Sequence, residues 1–398
     1  MSIPNLASCG FDEEYQAVYD MAYRYARDEL YNLAPRMDKE DWFPEAQFRA
    51  LAQQGLLGAT IPNEYGGAGL DVLAQCFISE AVAYWNHGLS ASILASDNLC
   101  VHNLVRNANT EQKQRYLPRF ADGRAIGALG MTEPGAGSDA LGSMATIARR
   151  DGDDYVLNGR KMFITNGPVA DVLLVYAKTA PDKKQHGISA FIVESRCAGF
   201  RVAQKLDKMG WRGSPTGELV FDECRVPAAN LLGRENEGVG IMMSGLDIER
   251  VIGAFYAVGL AQRALDLAVE YATYRKQFNR AIGEFQLVQG MLADMYTEVE
   301  AMRALTYQVG REVCGLEAGE GGRGVVHKRS AAAVYYAGRA CMRILDNAVQ
   351  IHGGMGFMSE SEVNRLYRSG KVMEIGAGTN QVRQIIIAGE LLKEAAAR

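Results

Sequence analysis

The spacing of apolar residues changes twice along this chain of 398 residues, and the order of those changes restricts the fold more than any other feature. From residue 12 to about 123 the spacing is helical. Phe11-Asp12-Glu13-Glu14 opens a first helix with acidic residues at the positive end of its dipole, and Pro35 is expected to end it. Residues 62–69, with glycine at 66, 67 and 69, read as a loop. Two apolar helices follow, then a charged one from Thr110 to Ala121 with Thr110 as its cap. Between about 125 and 235 the signal becomes short β-rich runs at 155–157, 172–176 and 188–193. Turn clusters such as Asp151-Gly152-Asp153-Asp154 and Asn158-Gly159 separate them, predicting an antiparallel barrel or sandwich. From about 236 the helical period returns: Leu287, Met291, Met295, Val299, Met302, Leu305 and Val309 step by three or four. Residues 238–273 and 325–352 look equally long. The expected architecture is α+β and multi-domain: helical over 1–124, β over 125–235, and a long-helix bundle over 236–398.

Composition removes several classes. Glycine is high at 43 residues, but there is no G-X-Y period and only 10 prolines, so collagen-like and low-complexity readings fail. A net charge of −5 gives no reason to expect a nucleic-acid partner. No apolar run is long enough to span a bilayer; the best, 81–96, carries Asn86, His87 and several serines. Residues 1–11 hold neither a basic n-region nor an Arg-rich presequence. The seven cysteines are odd in number and lack a C-x-x-C pair, which argues for reduced thiols and against a disulfide framework or zinc site. The expectation is a soluble cytoplasmic protein with no membrane, nucleic-acid or metal partner.

A Walker loop, H-E-x-x-H and G-x-S-x-G are all missing. A G-x-G-x-x-G match at Gly319, Gly321 and Gly324 follows no strand, so it reads as a flexible inter-helix loop. Four clusters carry more. Met131-Thr132-Glu133-Pro134-Gly135-Ala136-Gly137-Ser138-Asp139 combines glycines that admit a close ligand with short hydroxyls, and fits either a turn or a site. Lys161-Met162-Phe163-Ile164-Thr165-Asn166-Gly167 places Phe163 and Thr165 on one strand face, suiting a flat ring or an ordinary core. In Asp247-Ile248-Glu249-Arg250, Glu249 has only uncharged neighbours at helical spacing: Met242, Gly245, Leu246, Ile252, Gly253 and Tyr256. Such a carboxylate is either paired with another element or poised for proton transfer, and Gly245 and Gly253 are expected to leave room beside it. The fourth cluster, Ile375-Gly376-Ala377-Gly378-Thr379-Asn380-Gln381, leads into a final helix with Thr379 as N-cap.

In this order the clusters resemble the acyl-CoA dehydrogenase family of flavoproteins, over about residues 12–393. The elements that carry the resemblance are Thr-Glu-Pro-Gly-Ala-Gly-Ser-Asp at 132–139, Phe-Ile-Thr-Asn-Gly at 163–167 and Arg275-Lys276-Gln277-Phe278. Gln350-Ile351-His352-Gly353-Gly354 and Gly378-Thr379-Asn380-Gln381 complete the set. The resemblance implies an N-terminal helical domain, a middle antiparallel β-barrel, a C-terminal long-helix bundle, and FAD as cofactor. By it, Leu129, Met131, Thr132, Gly137 and Ser138 run along the flavin, Ser138 also meeting the substrate. Phe163, Ile164 and Thr165 flank the flavin ring, Phe163 standing where tryptophan is commoner. Arg275, Phe278 and Gln286 match positions that reach the FAD of a neighbouring subunit. Gln350, Gly353 and Gly354 match an adenine and pyrophosphate segment, and Thr379 and Gln381 a further FAD contact. Shared sites imply an oligomer, a homotetramer built as a dimer of dimers.

Many members of the family carry a glutamate directly before the Gly-Thr pair of the last cluster. Here Ala377 stands there and cannot take a proton. A smaller branch, best known from isovaleryl-CoA dehydrogenase, has its glutamate on the long helix, where this chain has Glu249. The resemblance therefore implies α,β-dehydrogenation of a short branched acyl-CoA, with Glu249 as base and an electron-transfer flavoprotein as acceptor. It holds the thioester carbonyl by the Ala377 backbone N–H and the FAD ribityl 2′-hydroxyl, and puts Ser138, Asp247, Arg250, Ala377 and Gly378 against the substrate. One alternative is a longer branched, citronellyl-type thioester, since 92–97 departs from the isovaleryl-type pattern. Another is a superfamily member with other flavin chemistry, against which Glu249 argues.

Overall fold

A computed structural model describes residues 4–313 and 321–397 of the chain. Cys314 and Gly319, and with Gly319 part of the glycine-rich loop expected between two helices, lie outside the described residues. The first helix, Glu13–Tyr25, continues through a π turn (Ala26–Leu30) and a 3-10 turn (Tyr31–Leu33) into the helix Ala34–Glu40. Pro35 thus does not end the helical run. It sits in the first turn of the next helix, where its missing N–H is no loss. Asn109, not Thr110, caps the Thr110–Ala121 helix: its Oδ1 accepts from Gln112 N at 2.8 Å while its own N–H donates to Gln112 Oε1 at 3.1 Å. Between them run two apolar stretches, Val72–Trp85 and 87–107, the second containing a π segment at Leu94–His102.

The middle of the chain forms one sheet of eight strands. They are β1 (Gly127–Gly130), β2 (Ile147–Asp151), β3 (Asp154–Thr165), β4 (Val172–Lys178), β5 (Ile188–Glu194), β6 (Phe200–Lys205), β7 (Thr216–Pro227) and β8 (Leu231–Leu232). Their order is β6-β7-β3-β2-β4-β5-β8, with β1 beside β4. The closed antiparallel barrel expected from the sequence is corrected: the sheet is open and mixed. β1 and β2 run parallel to β4, and β6 and β8 end the two sides without meeting. A parallel pair needs a long crossover, and 131–171 supplies it between β1 and β4. Short apolar runs announce strands but not their partners, so closure is not legible from them. Asn158-Gly159 is likewise no turn. It lies within β3 at a register shift against β7, where a Cβ on residue 159 would fall 2.3 Å from Thr146 Oγ1.

The C-terminal part packs three long helices, Gly238–Tyr274, Gln286–Val313 and Gly324–His352. Gly238–Tyr274 is long and apolar enough to cross a bilayer, yet here it is buried as the core that the Val72–Trp85 helix and the other two cover. On Gln286–Val313 the predicted stripe is buried at Met295, Val299, Met302 and Val309, whereas Leu287 is 85% exposed because the first turn lies on the surface. A helix Glu362–Gly370, a tight turn at 375–379 and a last helix, Asn380–Ala396, close the chain over this bundle.

Candidate active site

A cavity of roughly 430 Å³ opens where the 87–102 run, the middle sheet and the bundle meet. Each wall has a local cause. The loop 131–138 is pinned from beneath by Glu133, which is buried and accepts from Ala145 N at 2.6 Å and Thr146 N at 3.0 Å. Its Oε1 also pairs with Lys161 Nζ at 2.8 Å, a fully buried ammonium that donates in addition to Met131 O at 3.1 Å. Burial lowers the Lys161 pKa to about 8 against the pull of Glu133. Above this anchor a Cβ added at Gly135 or Gly137 would meet no atom within 4 Å, so the backbone lies open to a ligand.

Facing the loop, β3 breaks register between Lys161 and Ile164, and Phe163 takes a left-handed φ of 62°. Phe163, Ile164 and Thr165 all line the cavity at this bulge, although Ile164 is itself buried in the core of the sheet. Phe163 is 65% exposed there. The hydroxyls of Thr132, Ser138 and Thr165 make no hydrogen bond among the described residues. An uncovered aromatic ring opposite an open backbone and free hydroxyls fits a flat ring with polar edges, which is what a flavin presents.

Glu249 projects into the cavity from the Gly238–Tyr274 helix and is half-buried. Its carboxylate makes no hydrogen bond or ion pair among the described residues. Burial raises its pKa to about 7, with Arg250 and Arg383 pulling the other way. Of the two glycines expected to leave it space, only Gly253 does, a Cβ there meeting Met373 Cε at 3.5 Å. Gly245 instead packs on Asn103, whose Oδ1 would lie 2.7 Å from a Cβ.

The last wall is the turn at 375–379. Ala377 stands at φ 54° and Gly378 at φ 91°, and the N–H groups of both donate to nothing among the described residues. Thr379 caps the final helix, its Oγ1 accepting from Val382 N at 3.3 Å. Arg383, buried one turn along, donates to Met373 O and to Gly376 O, both at 2.6 Å.

Twelve expected residues therefore meet in one place: Leu129, Met131, Thr132, Gly137, Ser138, Phe163, Ile164, Thr165, Glu249, Ala377, Gly378 and Thr379 all line the cavity. Asp247 and Arg250 do not. At 100° per residue a side chain two before Glu249 points away from it. The Asp247 carboxylate accepts from Gly322 N at 2.6 Å, His327 Nδ1 at 2.7 Å, Arg250 Nη1 at 3.0 Å and Ser330 Oγ at 3.2 Å, leaving no free oxygen for a substrate. Arg275, Phe278, Gln286, Gln350, Gly353, Gly354 and Gln381 lie exposed on the outer surface, away from the cavity. Trp211, Tyr256, Met373 and Arg383 line the cavity without having been singled out. Tyr256 alone had a signal, its place seven residues after Glu249 on the same helix stripe.

Comparison with known proteins agrees with this geometry. Three family descriptions match consecutive stretches: acyl-CoA dehydrogenase, N-terminal domain, at 12–124; middle domain, at 128–224; and C-terminal domain, at 236–392. Mitochondrial isovaleryl-CoA dehydrogenase of Solanum tuberosum is 42% identical over 387 residues, 96% of this chain and 92% of its own. Butyryl-CoA dehydrogenase from Megasphaera elsdenii superposes with a TM-score of 0.91 at 35% identity, covering 98% of this chain and 100% of that one. A structure described as electron transferring flavoprotein of Acidaminococcus fermentans gives a TM-score of 0.92 at 38% identity, covering 99% of this chain and 100% of that one. With all three domains matched in order around a cavity that fits a flavin, the chain belongs to the acyl-CoA dehydrogenase family, FAD-containing oxidoreductases acting on the CH–CH group of an acyl-CoA.

Proposed function

We propose that the chain dehydrogenates a short branched-chain acyl-CoA of the isovaleryl type to the 2-enoyl-CoA and passes the electrons to an electron-transfer flavoprotein. The observation that carries this reading is the meeting of Glu249, an unpaired carboxylate with a pKa of about 7, and the undonated N–H groups of Ala377 and Gly378 in one apolar cavity. Glu249 removes the proton α to the thioester carbonyl. The resulting enolate oxygen needs hydrogen-bond donors, and the Ala377 N–H is positioned by backbone alone, so the residue there needs no side chain. Thr132, Ser138, Phe163 and Thr165 would hold the flavin ring, and FAD bound there would supply the acceptor for the β hydrogen, lost as hydride. Burial of Glu249 by the cavity walls keeps its pKa near neutrality and its basicity matched to the task.

A second reading, a longer branched acyl chain, draws on Gly253, Ala91 and Ala95, small residues among those that line the cavity. The exposed group around Phe278 and Leu287, 88% and 85% accessible, supports assembly of several copies in which one subunit's surface completes another's cofactor site. A panel of linear and branched acyl-CoAs mixed anaerobically with the purified flavoprotein tests the proposal. Rapid flavin bleaching by isovaleryl-CoA is expected, and a flavoprotein that no acyl-CoA bleaches would overturn it.

A further inference from the structure

The register that joins β6 to β7 brings two cysteines together outside the cavity. Phe200 stands opposite Phe221, Arg201 opposite Val220 and Val202 opposite Leu219. Carried three residues back from Phe200, that register sets Cys197 opposite Cys224. The turn 195–199 keeps to it, for Gly199 O accepts from Asp222 N at 2.9 Å. Gly199 takes a φ of 87°, and a Cβ there would fall 2.8 Å from Cys224 Cα, so the turn lies directly on β7. Cys197 Sγ donates to Arg225 O at 3.0 Å, one residue beyond Cys224. Cys224 belongs to the core cluster of the sheet, and Cys197 packs against the same cluster. Both are free thiols. Opposed residues of an antiparallel pair have Cα atoms about 4.5–5.5 Å apart, within the roughly 4.4–6.8 Å that a disulfide spans.

The two differ in exposure and acidity. Cys224 is fully inaccessible, whereas Cys197 is half-buried on a turn whose Arg196, Ala198 and Gly199 are exposed. The Cys224 thiol hydrogen-bonds the Cys197 sulfur, which lowers the Cys197 pKa against its burial. The same bond, together with burial, raises that of Cys224. A more acidic sulfur on the surface with a thiol behind it is what an attacking and a resolving cysteine require. Cys76, Cys100 and Cys341, by contrast, are all buried.

We infer that Cys197 and Cys224 form an oxidation site: a hydroperoxide that reaches Cys197 converts the pair to a disulfide that closes the 195–199 turn onto β7. The Cys197 thiolate attacks a peroxide oxygen. An S–O bond forms, the O–O bond breaks, and the other oxygen leaves as alcohol or water with a proton from solvent. The Cys224 sulfur then attacks the Cys197 sulfur. The S–S bond forms, the S–O bond breaks, and the hydroxyl leaves as water with the Cys224 proton. The two thiols lose two electrons and the peroxide gains them. Neither cysteine lines the cavity, so the site does not depend on the acyl-CoA reading.

The test treats the purified holoenzyme with hydrogen peroxide and maps its cysteines by mass spectrometry without reduction. A cross-linked pair of peptides carrying Cys197 and Cys224, lighter by two hydrogens and released by dithiothreitol, is expected. It should form roughly tenfold faster than any other cysteine is oxidised. Cys224→Ala removes the resolving thiol, and Cys197 should then be captured as a sulfenic acid by dimedone. Cys197→Ser, a change on the exposed turn, should leave Cys224 unoxidised. An unreactive Cys197, its oxidation to a sulfinic acid without the cross-link, or a disulfide to another cysteine in the wild-type protein overturns the inference. So does oxidation of Cys224 at the wild-type rate in Cys197→Ser. The wild-type map and Cys197→Ser decide the matter even where Cys224→Ala does not fold.

Discussion

Arg383 Nη2 donates to the carbonyl of Gly376 at 2.6 Å, tying the first turn of the last helix to the residue just before Ala377. With the second bond, from Nη1 to Met373 O at 2.6 Å, the guanidinium clamps the segment that leads into Ala377 to the last helix. That clamp holds Ala377 at φ 54°, a conformation that costs a residue with a Cβ about 1–2 kcal/mol. Replacing Arg383 with Met keeps most of the volume but orphans one buried and one partly buried carbonyl, so a loss of about 2–4 kcal/mol is expected in urea unfolding. If the Ala377 N–H serves the enolate, substrate bleaching of the flavin should slow in the same variant by more than its binding weakens. Unchanged bleaching kinetics in a destabilised protein would separate the clamp from the chemistry.

Glu249 gives a prediction with a sign. Its pKa of about 7 means that the base is mostly protonated below that pH and free above it. The rate of substrate bleaching should therefore rise as pH increases through about 7 and level off above. Glu249→Gln should keep the flavin bound and lower the bleaching rate by about 10²–10⁴-fold. A rate that falls through the same pH window would mean that Glu249 acts as an acid or not at all.

How much of this was legible depends on how far each residue's role extends along the chain. Glu249 stood out because its helical neighbours at three, four and seven residues carry no charge, a purely local property. Thr379 was legible for the same reason, since a cap answers to the residues just after it. Gly245 looked like Gly253 in sequence, yet a Cβ at one would fall 2.7 Å from Asn103 Oδ1 while at the other it would make ordinary contact with Met373 Cε at 3.5 Å, and only packing distinguishes them. The unexpected members of the site, Trp211 and Arg383, act on groups brought near by the fold of distant segments. Trp211 reaches Tyr256 from the loop between β6 and β7, while Arg383 folds back on carbonyls of the preceding turn. Strand closure failed for the same cause: β4 draws two parallel partners from earlier in the chain, which no run of apolar residues records.

Glu133 and Lys161 form an ion pair with both side chains almost wholly inaccessible, directly under the loop at 131–138. Removing one partner leaves the other charge buried, so Glu133→Gln or Lys161→Met alone is expected to cost about 3–5 kcal/mol. The double variant should recover much of that loss, because no unpaired charge remains. Its flavin should nonetheless dissociate more readily, since Lys161 also holds Met131 O at 3.1 Å and thereby the loop. A double-mutant cycle in urea, paired with a measurement of flavin release, checks both halves. Additive single effects would show the two charges acting independently.

Asp97 lies on the π segment whose neighbours Leu94, Ala95 and Leu99 form one wall of the cavity. It anchors that wall by accepting from Gly58 N at 2.6 Å, while its other oxygen, Oδ1, is buried without a partner. Burial raises its pKa to about 7, with the backbone N–H groups of Gly58 and Ala59 opposing. The folded state therefore holds a proton that an unfolded aspartate, with a pKa near ~3.9, gives up. Between those two values the native protein binds more protons than the unfolded chain, so this group makes stability fall as pH rises from about 4 to about 7. Asp97→Asn keeps an oxygen for Gly58 N and removes the titration. Its stability relative to wild type should climb across that window, by no more than about 4 kcal/mol, and be flat above it. Asp97→Ala, which has no oxygen for Gly58, should be less stable than Asp97→Asn at every pH and loosen the wall, raising KM for the acyl-CoA. Urea melts of the three proteins at pH values on both sides of 7 decide the matter: an Asn-minus-wild-type difference that does not change with pH means that Asp97 is not protonated in the native fold.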